Sequence, residues 1–290
     1  METGIYVREG AYIPRIAAVH DLCGYGKCSL GVAIPVLSAA GCDVCPVPTG
    51  LFSSHTAFPG WYMHDTTDIL EDYLNAWDGI NVQIDAIYSG FLGAPEQVDV
   101  IKRLYDTYPK ALRVVDPVMA DHGKVYPTYT PELCDAMARL AADADILTPN
   151  LTEAAIILGE PIGEAWAGPN ISDSEARRLV EALLATGAKN VVLKGIQREG
   201  ESVIRNFVMG ENAEFTQVSN EYLPYMLHGT GDVYASCLMA AVLAGKGLVE
   251  ATAFAGDFVH DAMIVSAQQP DFRNRGVSFE LLLGKITSLL

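Results

Sequence analysis

Positive charge is scarce in this chain. Nineteen Lys and Arg stand against 36 Asp and Glu, a formal net charge of −17 over 290 residues. Such a balance excludes a broad surface for nucleic acid or anionic lipid, which clustered Lys and Arg would have to supply. Long apolar runs are missing as well, since the longest, near 233–245, is too short to cross a bilayer. The opening residues 1–15 carry Glu2 and Glu9 and no apolar stretch of the kind a secretory leader needs. The expectation is a soluble, cytoplasmic protein without nucleic-acid or membrane partners. Cysteine is sparse, at positions 23, 28, 42, 45, 134 and 237. Cys42 and Cys45 have the spacing of half a zinc site, but Cys23 and Cys28 flank a glycine turn and do not supply the paired other half. Reduced thiols used for packing are expected. No repeat, low-complexity tract or linker interrupts the chain, and half of it is apolar, so a single domain over 1–290 is expected.

What the chain does have is an alternation of short β-rich runs with helical stretches, the pattern of an α/β fold with a largely parallel sheet. The spacing predicts strands over 13–20, 44–48, 84–89, 112–116, 145–148 and 191–194. Helices are predicted over 29–40, 65–77, 95–107, 131–142, 151–158 and 173–186, the last opened by a Ser172/Glu175 capping box. The pattern then changes. Runs at 202–209 and 214–218, separated by Gly210-Glu211-Asn212, predict an antiparallel hairpin at a sheet edge, and helices at 231–245 and 248–268 follow. The loop 160–171, with its prolines and glycines, reads as a surface excursion.

The most informative stretch is His228-Gly229-Thr230-Gly231-Asp232, leading into an apolar helix. Two glycines let the backbone turn tightly beside an anion, and amides at a helix N-terminus point toward negative charge. Asp232 has two readings. It could take a proton from a hydroxyl attacking a phosphate, or it could be an ordinary acid complementing the helix dipole.

Ligands of such sheets bind beyond the carboxyl ends of the strands. Polar residues collect there in series: His20-Asp21, Ser53 to Thr56, Ser89-Gly90, Asp116-Pro117, Thr148-Pro149-Asn150 and Lys194-Gly195. Asn150 and Glu153 lie one helical turn apart. That suits either a hydrated magnesium ion or a helix cap with Glu at its third position. Gly24-Tyr25-Gly26 imitates a dinucleotide fingerprint, but Ser29 stands in place of the third glycine and no acid ends the second strand, which argues against hydride transfer. Gly26-Lys27-Cys28 likewise fails as a P-loop.

Taken together, Phe52-Ser53-Ser54-His55-Thr56, Ser89-Gly90-Phe91-Leu92-Gly93, Asp116-Pro117-Val118-Met119, Thr148 to Glu153 and Gly229-Thr230-Gly231-Asp232 occur in the order of a known family. The sequence resembles the pyridoxal kinases of the ribokinase-like superfamily. The resemblance implies a three-layer αβα sandwich with a central, mostly parallel sheet and an antiparallel edge hairpin. It also implies ATP-dependent phosphorylation of a primary hydroxyl on a B6 vitamer, with Mg2+, a monovalent cation such as K+, and a homodimer. By position, Asp232 would be the base and Gly229, Thr230 and Gly231 the anion hole. Asp116, Asp121, Asn150 and Lys194 would lie at the nucleotide, Glu153 with Asn150 would organise magnesium, and Asp21, Phe52, Thr56 and Phe91 would meet the vitamer. Two departures matter: relatives often carry Tyr at Phe91, and many carry Ser at Asp21. An acid at Asp21 resembles the hydroxymethylpyrimidine kinases, the alternative reading. Within the B6 reading it predicts a tilt toward pyridoxamine or pyridoxine over pyridoxal. A non-catalytic vitamer sensor is the alternative of another class. The segment 121–131 reads as a flap over the nucleotide or as a plain surface loop.

Overall fold

Ile16-Ala17-Ala18-Val19, in the first strand, β1 (Arg15–Cys23), is buried throughout. Only a strand covered by helices on both faces can afford such a run. The computed structural model describes residues 4–163, 171–211 and 213–290. The strands after β1 are β2 (Asp43–Phe52), β3 (Met63–Asp65), β4 (Ala86–Ser89), β5 (Leu112–Val115), β6 (Ala120–Asp121), β7 (Lys124–Val125), β8 (Ile146–Leu147), β9 (Asn190–Gln197), β10 (Val203–Gly210) and β11 (Ala213–Glu221). Among the described residues nine of them form one sheet in the order β11-β10-β9-β8-β5-β4-β1-β2-β3, while β6 and β7 make a small ladder of their own. From β9 through β8, β5, β4 and β1 to β2 the pairing is parallel. The hairpin β10-β11 extends one edge in antiparallel fashion, as expected from the pattern at 202–218, and β3 closes the other edge antiparallel to β2. The turn residue Asn212 and residues 164–170 of the expected loop lie outside the described residues.

Side-chain alternation builds the two outer layers. Ala17, Val19, Ile87, Val115, Leu147, Val191 and Phe207 pack into one core with α2 (Thr67–Asp78), α3 (Glu96–Thr107), α4 (Pro131–Ala141), α5 (Leu151–Ile157) and α6 (Asp173–Ala185). Their neighbours Ile16, Tyr88, Val114, Ile146, Val192 and Val208 pack into the other, with α1 (Leu30–Ala39), α7 (Thr230–Leu243) and α8 (Leu248–Ala267). This is the three-layer αβα sandwich. Helix α7 is apolar on every side, and each residue from Val233 to Leu243 is buried. A helix of that kind belongs in the interior, which here carries its N-terminus to the carboxyl end of the sheet.

Four strands, β1, β2, β9 and β11, run three or more residues further than the pattern predicts, each alongside a partner strand. β2 continues to Phe52 since β3 pairs with Gly50 to Phe52, and β9 continues to Gln197 since β10 pairs with Ile196 and Gln197. Short C-terminal helices, α9 (Phe272–Arg275) and α10 (Leu283–Thr287), are additional. Ser172 caps α6 by accepting from the Glu175 amide at 3.2 Å.

Phe207 tests the packing of the antiparallel edge, being fully buried and stacked on Phe215 with ring centroids 5.5 Å apart. Phe207→Ala is expected to destabilise the fold by about 3–5 kcal/mol, read from the urea midpoint. A loss under about 1 kcal/mol would mean that this edge is not part of the core.

Candidate active site

The turn into α7 is built for close approach. Gly229 has φ 84°, and a Cβ there would lie 1.8 Å from the Lys27 carbonyl oxygen, so only glycine fits. A Cβ on Gly231, by contrast, would meet nothing within 4 Å, so that side of the turn faces open space. The first amides of α7 have no partner within the helix and present a positive end to that space. Thr230 donates its hydroxyl to the Leu227 carbonyl at 3.2 Å, which holds the turn from behind.

Asp232 lies in the first turn of α7. Burial, then the charges of Asp116 and Asp21, push its carboxyl up to about 7, against the pull of a Ser29 backbone hydrogen bond and of Lys194. Asp116 follows β5 and is buried. Its Oδ1 accepts from the Thr148 hydroxyl at 2.9 Å and pairs with the Lys194 ammonium. Lys194 reaches it from a β-bulge, because Lys194 and Gly195 together face Asn206 between the Phe207/Leu193 and Arg205/Ile196 pairs. Gly195 takes φ 77° there and donates its amide to Asn206 at 3.0 Å. Burial opposes the charge on Lys194, yet Asp116 and Glu153 outweigh it and hold its pKa above the ordinary lysine value.

Asn150 and Glu153 form the reciprocal helix cap. Asn150 Oδ1 accepts the Glu153 amide at 2.9 Å and Glu153 Oε2 accepts the Asn150 amide at 2.8 Å. Asn150 Nδ2 also donates to the Ala120 carbonyl at 2.8 Å. Burial pushes Glu153 up to about 8, opposed by Lys194 and reinforced by Asp116 and Asp121. Among the described residues no three His, Cys, Asp or Glu side chains are grouped to hold a metal ion. Asp121, on β6, accepts the His122 amide at 2.8 Å. The segment 121–131 is held by β6-β7, by the Gly123 amide on Thr152 Oγ1 at 2.9 Å, and by Tyr129, whose buried hydroxyl accepts the Leu92 amide.

On the other side of Asp232 lies Asp21, buried near the end of β1 where the β1-β2 register shifts between His20 and Leu22. The Ser29 hydroxyl donates to it. Burial pushes Asp21 up to about 6 even so. Phe52 and Phe91 meet edge to face at 5.5 Å, with Trp61 and Tyr129 flanking them at 5.7 Å. The Phe91 carbonyl accepts the Thr49 hydroxyl at 2.8 Å. Thr56 is exposed at the rim, next to buried His55. The structure thus brings Asp232 within electrostatic reach of Asp116, Asp21 and Lys194, and Glu153 within reach of Lys194, Asp116 and Asp121. Sequence reasoning missed Ser29 as Asp21's partner; a buried acid in need of a donor was the available signal. It also missed the contact of His55 with His228, for which there was none. All six cysteines are free thiols; Cys23, Cys42, Cys134 and Cys237 are buried.

The sequence profile described as phosphomethylpyrimidine kinase matches residues 36–275. Pyridoxal kinase PdxY of Haemophilus influenzae is 31% identical over 224 residues, 73% of this chain and 75% of that protein. The chain belongs to the phosphomethylpyrimidine kinase family and, within it, to the pyridoxal kinases. Two crystal structures agree with the fold. One, a Bacteroides thetaiotaomicron protein assigned as a phosphomethylpyrimidine kinase and crystallised with pyridoxal, has TM-score 0.89 and 32% identity over 95% of this chain and 96% of that one. The other, pyridoxal kinase of Lactobacillus plantarum, has TM-score 0.86 and 28% identity over 96% and 98%. As a family member the chain is a phosphotransferase with an alcohol group as acceptor.

Ser29→Ala removes the hydroxyl that donates to Asp21. Losing a donor to the charged form raises a carboxyl pKa. In carbon-13 NMR titration Asp21 is therefore expected to titrate above its value of about 6. An unchanged midpoint would remove Ser29 from this role.

Proposed function

We propose that this kinase transfers the γ-phosphoryl group of ATP to the 5′-hydroxymethyl group of a B6 vitamer, in salvage toward pyridoxal 5′-phosphate. The observation that carries the reading is Asp232, a carboxylate with a pKa near neutrality in the first turn of α7, beside a glycine turn that opens onto free space. A base of that strength is matched to taking a hydroxyl proton at pH 7. As the vitamer oxygen bonds to phosphorus and the bond to ADP breaks, Asp232 accepts the proton. The amides of Gly229, Thr230 and Gly231 stabilise the charge on the phosphoryl oxygens, a preorganised electrostatic contribution. Lys194 adds positive charge, and Asp116 fixes its ammonium. Asp121 borders the nucleotide from the 121–131 segment, the proposed flap.

The donor set also fits magnesium in the form nucleotides bring it. Glu153 is buried with its pKa pushed up to about 8, in a pocket short of positive charge. Asn150 and Glu153 would hold such an ion through water, and it would neutralise phosphate charge. Phe52 and Phe91 offer flat apolar faces to the pyridine ring, Thr56 a hydroxyl at its rim, and Asp21 a carboxylate for a ring nitrogen or amine. We take the whole chain to act as one kinase domain in the cytoplasm, as a homodimer, with a monovalent cation such as K+ as a further requirement. Hydroxymethylpyrimidine kinase activity is the second reading, favoured by the acid at Asp21 and by the matching profile's description.

The deciding experiment follows ADP release from MgATP with pyridoxal, pyridoxine, pyridoxamine and hydroxymethylpyrimidine, beside Asp232→Asn. Turnover on a B6 vitamer should fall by about 10²–10⁴-fold in the variant while vitamer binding persists. Turnover on the pyrimidine alone would select the second reading, and binding without turnover in the wild type a sensor. Because Asp232 works only when ionised, kcat/KM should rise with pH through about 7 and then level off. A profile flat across that range would remove Asp232 as the base.

The Asp21 carboxylate favours a protonated ring or a ligand amine, so Asp21→Ser should lower kcat/KM for pyridoxamine and pyridoxine relative to pyridoxal. Identical ratios in wild type and variant would end the idea.

A further inference from the structure

Four stretches of backbone meet at one imidazole. His55 donates its own amide to the Tyr25 carbonyl at 3.1 Å. Its Nδ1 accepts the Ala57 amide at 3.3 Å, which leaves the ring proton on Nε2, 2.9 Å from the Asn274 carbonyl oxygen. Phe58 packs on the ring with centroids 4.4 Å apart. Gly26 makes room for it, since a Cβ there would lie 2.2 Å from His55 Cδ2. Against this fixed ring the imidazole of His228 stacks, with centroids 4.5 Å apart and planes 30° from parallel. His55 is buried and His228 exposed.

His228 is bonded to Gly229, where the glycine turn begins, and its carbonyl accepts the Val277 amide at 3.0 Å. His55 itself belongs to the 52–56 stretch that carries Phe52. The stacked pair therefore spans the gap between the proposed vitamer wall and the proposed anion hole. A phenylalanine would fill the same volume, but it could not fix its own rotation. With an acceptor bond to Ala57 and a donor bond to Asn274, the His55 ring cannot turn, and its face stays toward His228.

We propose that His55 is a positioning residue for phosphoryl transfer, acting through the His228 ring to set the Gly229–Gly231 turn against the 52–56 wall. It rests on the kinase reading above for its kinetic consequence, while the ring stacking can be tested without any substrate. A shift of about 1 Å between reacting groups can cost about 10²-fold in rate, so a loose turn should show in kcat.

The test uses His55→Phe, His55→Ala, His228→Ala and the His55→Ala/His228→Ala double variant of the full chain. In the ligand-free protein the proton resonances of the His228 ring should move on His55→Ala, as the ring current of its neighbour is lost, and move less on His55→Phe. Unmoved resonances in His55→Ala would overturn the stack. With the acceptor that the wild type phosphorylates, His55→Ala and His228→Ala should each lower kcat by about 10- to 100-fold with the KM for MgATP little changed. His55→Phe should recover part of that loss. The double variant should be no slower than the slower single one, because one residue acts through the other. Multiplying losses, or a lowered Tm with kcat intact, would overturn the proposal. A wild type without turnover on any acceptor would instead overturn the kinase reading and the kinetic role with it, leaving the resonance shifts to judge the stack.

Discussion

The buried ammonium of Lys194 is the interaction on which the rest of the site depends. It pairs with Asp116 and lies within reach of Glu153 and Asp232. Two like charges 4 Å apart repel by about 4 kcal/mol at an effective dielectric constant of 20, so acids do not share a pocket without a cation or a proton. Here one ammonium is insufficient. Burial first, and neighbouring acids after it, push Glu153 up to about 8 and Asp232 up to about 7, so both hold protons at a pH where free carboxylates would have lost them. A buried ion pair of this kind is weak support for the fold, but removing one partner from such a pair typically costs about 3–5 kcal/mol because the other charge is stranded.

Irregularities in the sheet place these groups. A regular strand sends alternate side chains to opposite faces, where they serve the two cores. At the carboxyl end the register slips twice, between His20 and Leu22 in β1-β2 and between Arg205 and Phe207 in β9-β10. Asp21 stands at the first slip and Lys194 at the second. Bulges bend and twist a strand locally, and they re-aim side chains that the pleat would otherwise commit to a core. Between them α7 points its N-terminus at the same region because its all-apolar surface has to be buried.

The α/β alternation, the edge hairpin and most helix ends were legible because apolar periodicity and capping residues are local signals. The polar series at the strand ends was legible too, and it contained Asp21, Asp116, Asn150 and Lys194. Other features depend on distant partners. Met63-His64-Asp65 has no strand-like composition and becomes β3 only by lying beside Gly50 to Phe52. Lys194 looked like the end of a strand, whereas β10 carries that strand on and turns the residue into a bulge. Ser29 counted against a dinucleotide fingerprint because it replaces a glycine. The backbone there nevertheless takes φ 52°, a left-handed value that favours glycine, and the serine hydroxyl bonds to Asp21. The Asn150/Glu153 pair had two sound readings, and the cap is realised in full. A complete cap does not compete with a role at an ion, since each Glu153 oxygen has more than one lone pair.

For the proposed reaction an acid-rich pocket is an odd place to bring a triphosphate, and the arrangement of charge offers a way to meet the difficulty. Positive potential comes from groups that cannot lose it, namely the amides at the start of α7 and an ammonium whose pKa is held above the lysine value. Of the carboxylates near them, Glu153 and Asp232 are pushed up to about 8 and about 7, chiefly by burial, so their charge adjusts to what is bound. Protonated, they do not repel one another in that pocket. On the proposed function, a divalent cation arriving with the nucleotide would favour their ionised forms and so leave Asp232 able to act as the proposed base. Base strength and phosphate affinity, which pull in opposite directions for a fixed charge, can then both be met by one set of side chains.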